Sequence, residues 1–375
     1  MYKVQMFNFL IFQQYDTVTH LPSCYSRTCE RILQNALEVG RDLGMSRSAL
    51  VRHSRCVWRF INPRTSQEKR LLSFNFSTSE HHENQRPSRP APPPIRVSLT
   101  ESAGRGVFAT RIIGAGDLIH TAKPIVSHPS LFCNESVCQF CLRRLSSSMD
   151  TKSQSVRFCS EECKDNFMAV FDVETRTDWL AFHEYCRTES LKYPLLVKRL
   201  ACMVISGAAP DDCLDILQPA ILSPEMVLKM EEGFGLLRTT FIKANIRDEQ
   251  LAFLTKQWYT SVLSRIRINA FRIELVGELY EDLLSSAAAC IEAESAIGNA
   301  VYMLPSFYNH DCDPNAHIIW IDNVDARLKA LRDIEEGEEL RICYIDASMD
   351  HNARQKLLYY GFGFECKCLR CLSGD

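Results

Sequence analysis

Seven of the seventeen cysteines in this 375-residue chain stand in three short clusters: "CQFC" at 138–141, "CSEEC" at 159–163 and "CKCLRC" at 366–371. No other feature constrains the fold as much. A secreted chain spreads its cysteines into a disulfide framework behind a signal peptide, whereas clustered thiols without such a signal read as zinc ligands in a reducing compartment. The first two pairs are separated by seventeen residues. That spacing lets two segments close one tetrahedral Zn–S4 site from Cys138, Cys141, Cys159 and Cys163. Cys366, Cys368 and Cys371 make three quarters of a second closed site. Of the nearest upstream cysteines, Cys343 lies inside the strand-like "ELRICYID", where neighbours fix it, while Cys312 sits in an irregular turn before proline. Cys312 is therefore the expected fourth ligand. His183 and Cys186 in "FHEYC" offer half of a further zinc site, but the segment lacks the other half, and ordinary helix positions account for them equally well.

Composition excludes several classes. The chain is 46% hydrophobic and 24% charged, which is ordinary for a folded soluble protein, and no stretch approaches eighteen uninterrupted apolar residues, so no membrane span is expected. The net charge of −3 hides an asymmetry: residues 45–96 carry ten Lys or Arg against three Glu, 1–44 balance, and 97–375 are left with −10. An acidic folded body is a poor grip for nucleic acid and suits a basic peptide.

Residues 45–79 contain six Arg, seven Ser and one acidic residue after a methionine. That composition fits an organelle transit peptide or a basic disordered tail. "EHHENQRPSRPAPPP" at 80–94 reads as a linker. From Ile95, "IRVSL" alternates, "AGRGVFA" turns and "DLIHTAKPIV" reads as a strand pair. Helical apolar spacing runs from "LLVKRLACMVISGAA" to "LAFLTKQWYTSVLSRI" and again over 278–296. Strand-like "HIIWI" and "LKALRDIEEGEELRICYID" precede the cysteine-rich tail. A β unit at each end, with helices and zinc between, reads as one α+β domain interrupted by an insertion. Cys202, Cys213, Cys290 and Cys343 read as small buried hydrophobes.

Four stretches, in order, resemble the SET-domain protein lysine methyltransferases: "GRGVFA" (104–109), "NHDCDPN" (309–315), "EELRICYID" (338–346) and "YGFGFECKCLRC" (360–371). They are similar to that family's glycine turn, Asn-His motif, catalytic-tyrosine strand and post-SET zinc segment. The cluster at 138–186 resembles the zinc finger of the SET-and-MYND subgroup, and "NAF" at 269–271 resembles that subgroup's Asn-Ser-Phe element. The resemblance covers roughly 95–375, and its plan is similar to that of short plant Trithorax-related SET proteins. A MYND finger holds two zincs with interleaved ligands; this chain lacks the middle cysteine pair, so one zinc carries over.

The resemblance implies a β-rich SET fold of small sheets, interrupted by a zinc-finger and helical insertion and closed by a zinc-bound tail. Its expected parts are a basic extension with linker (1–94), SET N-terminal part (95–132), single-zinc insertion (133–187), helical insertion (188–258), SET C-terminal core (259–346) and post-SET segment (347–375). It implies S-adenosylmethionine as cofactor, two structural zincs, and methyl transfer to a lysine of a basic protein, a histone tail or another lysine-containing substrate. The resemblance places Tyr344 as catalytic, with Phe362 and Phe364 completing a lysine channel. It gives cofactor contacts at Gly104, Arg105, Gly106, Asn269, Ser306, Tyr308, Asn309, His310 and Phe364.

Two other functions compete: a catalytically silent SET and zinc-finger interaction module, and a hydrolytic metalloenzyme using His310, Asp311 and Asp313. Neither nucleic acid nor membrane is an expected partner, and a monomer is expected. The resemblance implies the nucleus, with the cytoplasm also open, and the Arg/Ser-rich segment points instead to mitochondrion or plastid.

Overall fold

The computed structural model describes residues 92–145, 158–276 and 296–375. The Arg/Ser-rich segment 45–79 lies outside them, as does the helix expected over 278–296 except for Ala296. β1 (Ile95–Leu99) buries Ile95 and Val97 and turns the residues between them outward, the alternation expected of a half-buried strand. Gly104, at φ +75°, reverses the chain into β2 (Arg105–Ala109), which pairs antiparallel with β1. β3 (Leu118–Ala122) and β4 (Val126–Pro129) follow. They do not pair with each other as expected from sequence. Lys123, Pro124 and Ile125 separate them, and each strand joins a different sheet.

The insertion is helical. α1 (Glu161–Thr175) starts at Ser160, whose side chain accepts from the Cys163 N–H, with Glu161 and Glu162 in the first turn favouring the same end. α2 (Leu180–Thr188), α3 (Tyr193–Ile205), α4 (Pro224–Lys243), α5 (Asp248–Leu251) and α6 (Lys256–Asn269) complete it. α3 is apolar nearly all round and runs through the core, with Leu196 and Leu200 fully buried. Each such leucine contributes about 2 kcal/mol of burial.

The chain then forms β5 (Ala270–Ile273), β6 (Gly298–Val301), a short 3-10 turn (Pro305–Phe307), β7 (Asn309–His310), β8 (Ala316–Ile319), β9 (Ala326–Ala330) and β10 (Glu339–Ile342). Three small sheets result, in the orders β1-β2-β10-β7, β3-β9-β8 and β4-β6-β5. Within the first, β7 lies parallel to β10 and pairs Asn309 with Arg341 and His310 with Ile342. The tail is α7 (His351–Phe362), capped by Asp350 and stopped by Gly363 at φ +82°, then α8 (Leu369–Leu372). Small sheets, inserted helices and a cysteine-bound tail match the α+β expectation.

Candidate active site and metal centres

The two residues of β7 reach into opposite surroundings. The Asn309 amide donates to the Arg105 carbonyl at 3.0 Å and to Glu339 Oε1 at 2.7 Å, which ties the glycine turn to β10. Gly106 is closely packed here: a Cβ would lie 2.6 Å from Glu339 Oε1 and 3.1 Å from Asn309 Nδ2, so a larger residue would displace those side chains. On its Cβ side Gly106 is thus packed by the chain's own side chains. Gly104, by contrast, has open space where a Cβ would stand.

His310 is a joint between a thiol and a tyrosine. Its Nδ1 accepts from the Tyr344 backbone N–H at 3.0 Å, and its Nε2 lies 3.2 Å from Cys312 Sγ. Burial holds its pKa down to about 4, so the ring is neutral near pH 7. With Nδ1 accepting, the proton sits on Nε2 and is donated to the sulfur.

Tyr344 follows the end of β10, and its hydroxyl donates to the Tyr308 carbonyl. Burial, with Glu339 adding to it, raises its pKa, so the phenol keeps its proton. Around it, ring centroids lie at 5.0 Å for Phe362, 5.3 Å for His310 and 6.3 Å for Phe364, the last edge-on. These rings form an apolar aromatic wall on the tail side of β7 and β10.

Other expected contacts are placed differently. The Tyr308 side chain is fully buried and hydrogen-bonded to His120 Nε2 at 2.8 Å, so it is its carbonyl that reaches Tyr344. Ser306 Oγ donates to the Tyr302 carbonyl at 2.8 Å. Asn269, at the end of α6, donates to the carbonyls of Gln218 and Arg265 at 2.8 and 2.7 Å. Arg105 extends over the Phe307 ring, 4.5 Å from its centroid, and donates to the Ile216 carbonyl. The loop at 216–218, absent from the sequence expectation, is thereby held from both sides. Glu339 was missed as well, although it precedes Tyr344 by only five positions.

Both cysteine groups assemble. Cys138, Cys141, Cys159 and Cys163 form one, and Cys312, Cys366, Cys368 and Cys371 the other, with sulfurs in each group within 4.8 Å of one another. A tetrahedral zinc with Zn–S bonds of about 2.3 Å sets its sulfurs about 3.8 Å apart. Cys141–Cys159 at 3.4 Å, Cys312–Cys371 at 3.5 Å and Cys312–Cys366 at 3.9 Å fit that ion. Cys343 is half-buried rather than core, with its thiol on the Ile345 carbonyl at 3.0 Å.

The hydrolytic constellation does not form. Asp311 pairs with Arg341 at 3.3 Å and accepts from the Asp313 N–H, while His310 faces Cys312 and Tyr344. Among the described residues, these three join no metal-ligating group.

Comparison with known proteins bears on this geometry. The family model for the SET domain matches residues 104–345. The chain is 62% identical to the histone-lysine N-methyltransferase ATXR4 of Arabidopsis thaliana over 332 residues, 88% of this chain and 100% of that one. A SET and MYND domain-containing protein of Dictyostelium discoideum is 25% identical over 273 residues, covering 68% of this chain and 77% of its own length. The protein-lysine N-trimethyltransferase SMYD5 of Gallus gallus is 24% identical over 363 residues, covering 73% and 85%. A solved SET domain of LSMT bound to lysine and AdoHcy covers 73% of this chain and 53% of its own at 14% identity, with a TM-score of 0.33, too low to carry any argument about the site.

Proposed function

The chain belongs to the SET domain family, and from that premise we propose that it transfers a methyl group from S-adenosylmethionine to a lysine side chain of a basic protein, a histone in the first instance. The observation that carries this reading is the setting of Tyr344: a protonated hydroxyl anchored to the main chain, backed by His310 and walled by Phe362 and Phe364.

Bound S-adenosylmethionine supplies an electrophilic methyl on a sulfonium. Gly104, Arg105 and Gly106 with Asn309, His310 and Phe364 are the residues we assign to hold it; the open space over Gly104 supports a ligand there. Asn269 and Ser306 act through the backbone they pin, and Tyr308 through its own carbonyl. The attacking lysine must be neutral, which costs about 4 to 5 kcal/mol at pH 7 from its ordinary pKa. An apolar aromatic wall disfavours the ammonium and lowers that cost, and the Tyr344 oxygen orients the amine. No metal touches the reacting atoms in this scheme, and the zincs brace the walls. The −10 charge of residues 97–375 supports a basic peptide over nucleic acid, and among the described residues no helix is long and apolar enough to cross a membrane. We assign the protein to the nucleus as a monomer.

The test is radiolabelled methyl transfer by the purified full chain to histones and to cell extract, beside Tyr344→Phe. Transfer that falls on the order of 10²-fold in the variant with cofactor affinity unchanged is the expected result. Measurable cofactor binding with no transfer to either substrate would sink the enzyme reading and leave the silent interaction module.

A further inference from the structure

His183 and Cys186 lie one helical turn apart on α2, and a zinc held by them needs two more ligands. Among the described residues neither joins a metal-ligating group. What His183 faces is the Lys198 ammonium of α3. Its Nζ is 3.4 Å from His183 Nε2, 3.8 Å from Glu174 Oε1 of α1 and 4.8 Å from the centroid of the Trp179 ring. His183 stacks on the same indole, with centroids 6.4 Å apart. Lys198 is only 3% exposed. A buried ammonium persists where acceptors and opposite charge replace its water, and here a carboxylate, an imidazole lone pair and an indole face do so.

We propose that Lys198 fills the second cation position of the finger, so that His183 closes a lysine-centred joint between α1, α2 and α3 where His183 and Cys186 would otherwise serve a second zinc. The disagreement with the two-zinc finger has a physical basis. Arg199, the next residue, binds the same Glu174 Oε1 at 2.6 Å, so two buried cations already share one carboxylate. A divalent ion would add to a surplus of positive charge. Burial, with Lys198 and Arg187 adding to it, holds His183 down to about 4, a neutral acceptor. Burial also lowers the pKa of Lys198, and Glu174 works against that loss.

The neighbouring Arg199 extends the joint in the other direction. It donates to the Gln139 carbonyl at 2.9 Å, between two finger cysteines, and to the Ser127 carbonyl of β4 at 3.3 Å. One turn of α3 thus fastens the finger to the β4-β6-β5 sheet by a side-chain cation, work that a second zinc would otherwise share.

Elemental analysis of the purified full chain tests this. Two zincs per chain are expected, and still two in His183→Ala and in Cys186→Ser. Three zincs in the wild type, falling to two in either variant, would overturn the proposal. Lys198→Met keeps the reach without the charge and is expected to lower Tm with zinc unchanged at two; an unchanged Tm would overturn it too. Should that variant not fold, acetic anhydride labelling of the wild type read by mass spectrometry takes its place. Lys198 is expected to stay unmodified until the chain is unfolded, and labelling in the native state would count against the joint.

Discussion

In the tail, Cys312, Cys366, Cys368 and Cys371 are all buried, and side chains reach two of the sulfurs: His310 at Cys312, and Arg354, fully buried itself, 3.8 Å from Cys371. In the finger, Cys138 alone is buried, and Cys141, Cys159 and Cys163 are half-buried. A zinc bound by four thiolates carries two surplus negative charges, and the two sites dispose of them differently. In the tail, Arg354 and the His310 N–H stand against the sulfurs and would offset that charge; the half-buried finger would leave more of it to solvent. Because His310 also accepts from the Tyr344 N–H, the tail cysteine group is joined through one imidazole to Tyr344, the residue proposed as catalytic. The finger zinc is joined instead to α1, α3 and β4, through Ser160 and Arg199. Identical ligand chemistry therefore serves position in one place and stability in the other.

Cys368→Ser against Cys159→Ser gives the sharpest contrast. The tail variant is expected to lose on the order of 10²-fold or more in kcat, as when an oriented donor is removed from an active site. The finger variant is expected to lower Tm by at least about 5 °C while kcat, read below that Tm, changes less than about tenfold. Equal losses of kcat in the two would break the comparison. His310→Leu comes next, since it keeps bulk and removes both hydrogen bonds. It is expected to lower kcat by about 10- to 100-fold and to speed zinc loss from the tail while the finger's rate stays unchanged. Smaller again is Arg354→Met. With a colorimetric chelator the wild type should release finger zinc first, being the more exposed, and the variant should release tail zinc about tenfold faster than the wild type does. Release of tail zinc at an unaltered rate would mean that Arg354 does not steady the thiolates.

The parts of this site that were legible in the sequence are local. Cysteine spacing gave the first ligand set and three members of the second, and the irregular turn before Pro314 singled out Cys312 over the strand-bound Cys343. Alternation marked β1 and the order of motifs marked β7, β10 and Tyr344. The contacts that tune the site were not legible, since they join residues that local pattern cannot relate. Arg105 and Ile216 are 111 positions apart, and Asn269 and Gln218 are 51. Nor does a pattern of apolar spacing reveal that Lys198 and Arg199, on an otherwise apolar helix, are buried with Glu174. The misread pairing of β3 with β4 has the same origin: both strands exist as expected, but their partners β9 and β6 come from the far side of the insertion.

The smallest expected effect separates the lysine-centred joint from both zinc sites. The folded-state pKa of His183, about 4, lies below its ordinary 6.5, so between those values the unfolded chain binds more protons than the folded one. Stability contributed by the neutral ring is fully present above about pH 6.5 and is lost progressively as pH falls toward 4. The zinc thiolates also take up protons on acidification and release their metal, which lowers stability in the same direction. His183→Asn separates the two effects, because it removes the imidazole titration and leaves both cysteine groups in place. Between pH 7 and pH 5, Tm is expected to fall in both proteins and to fall less in the variant, by a few degrees. Parallel Tm curves would mean that His183 is protonated as readily in the folded chain as in the unfolded one, and that Lys198 does not keep it neutral.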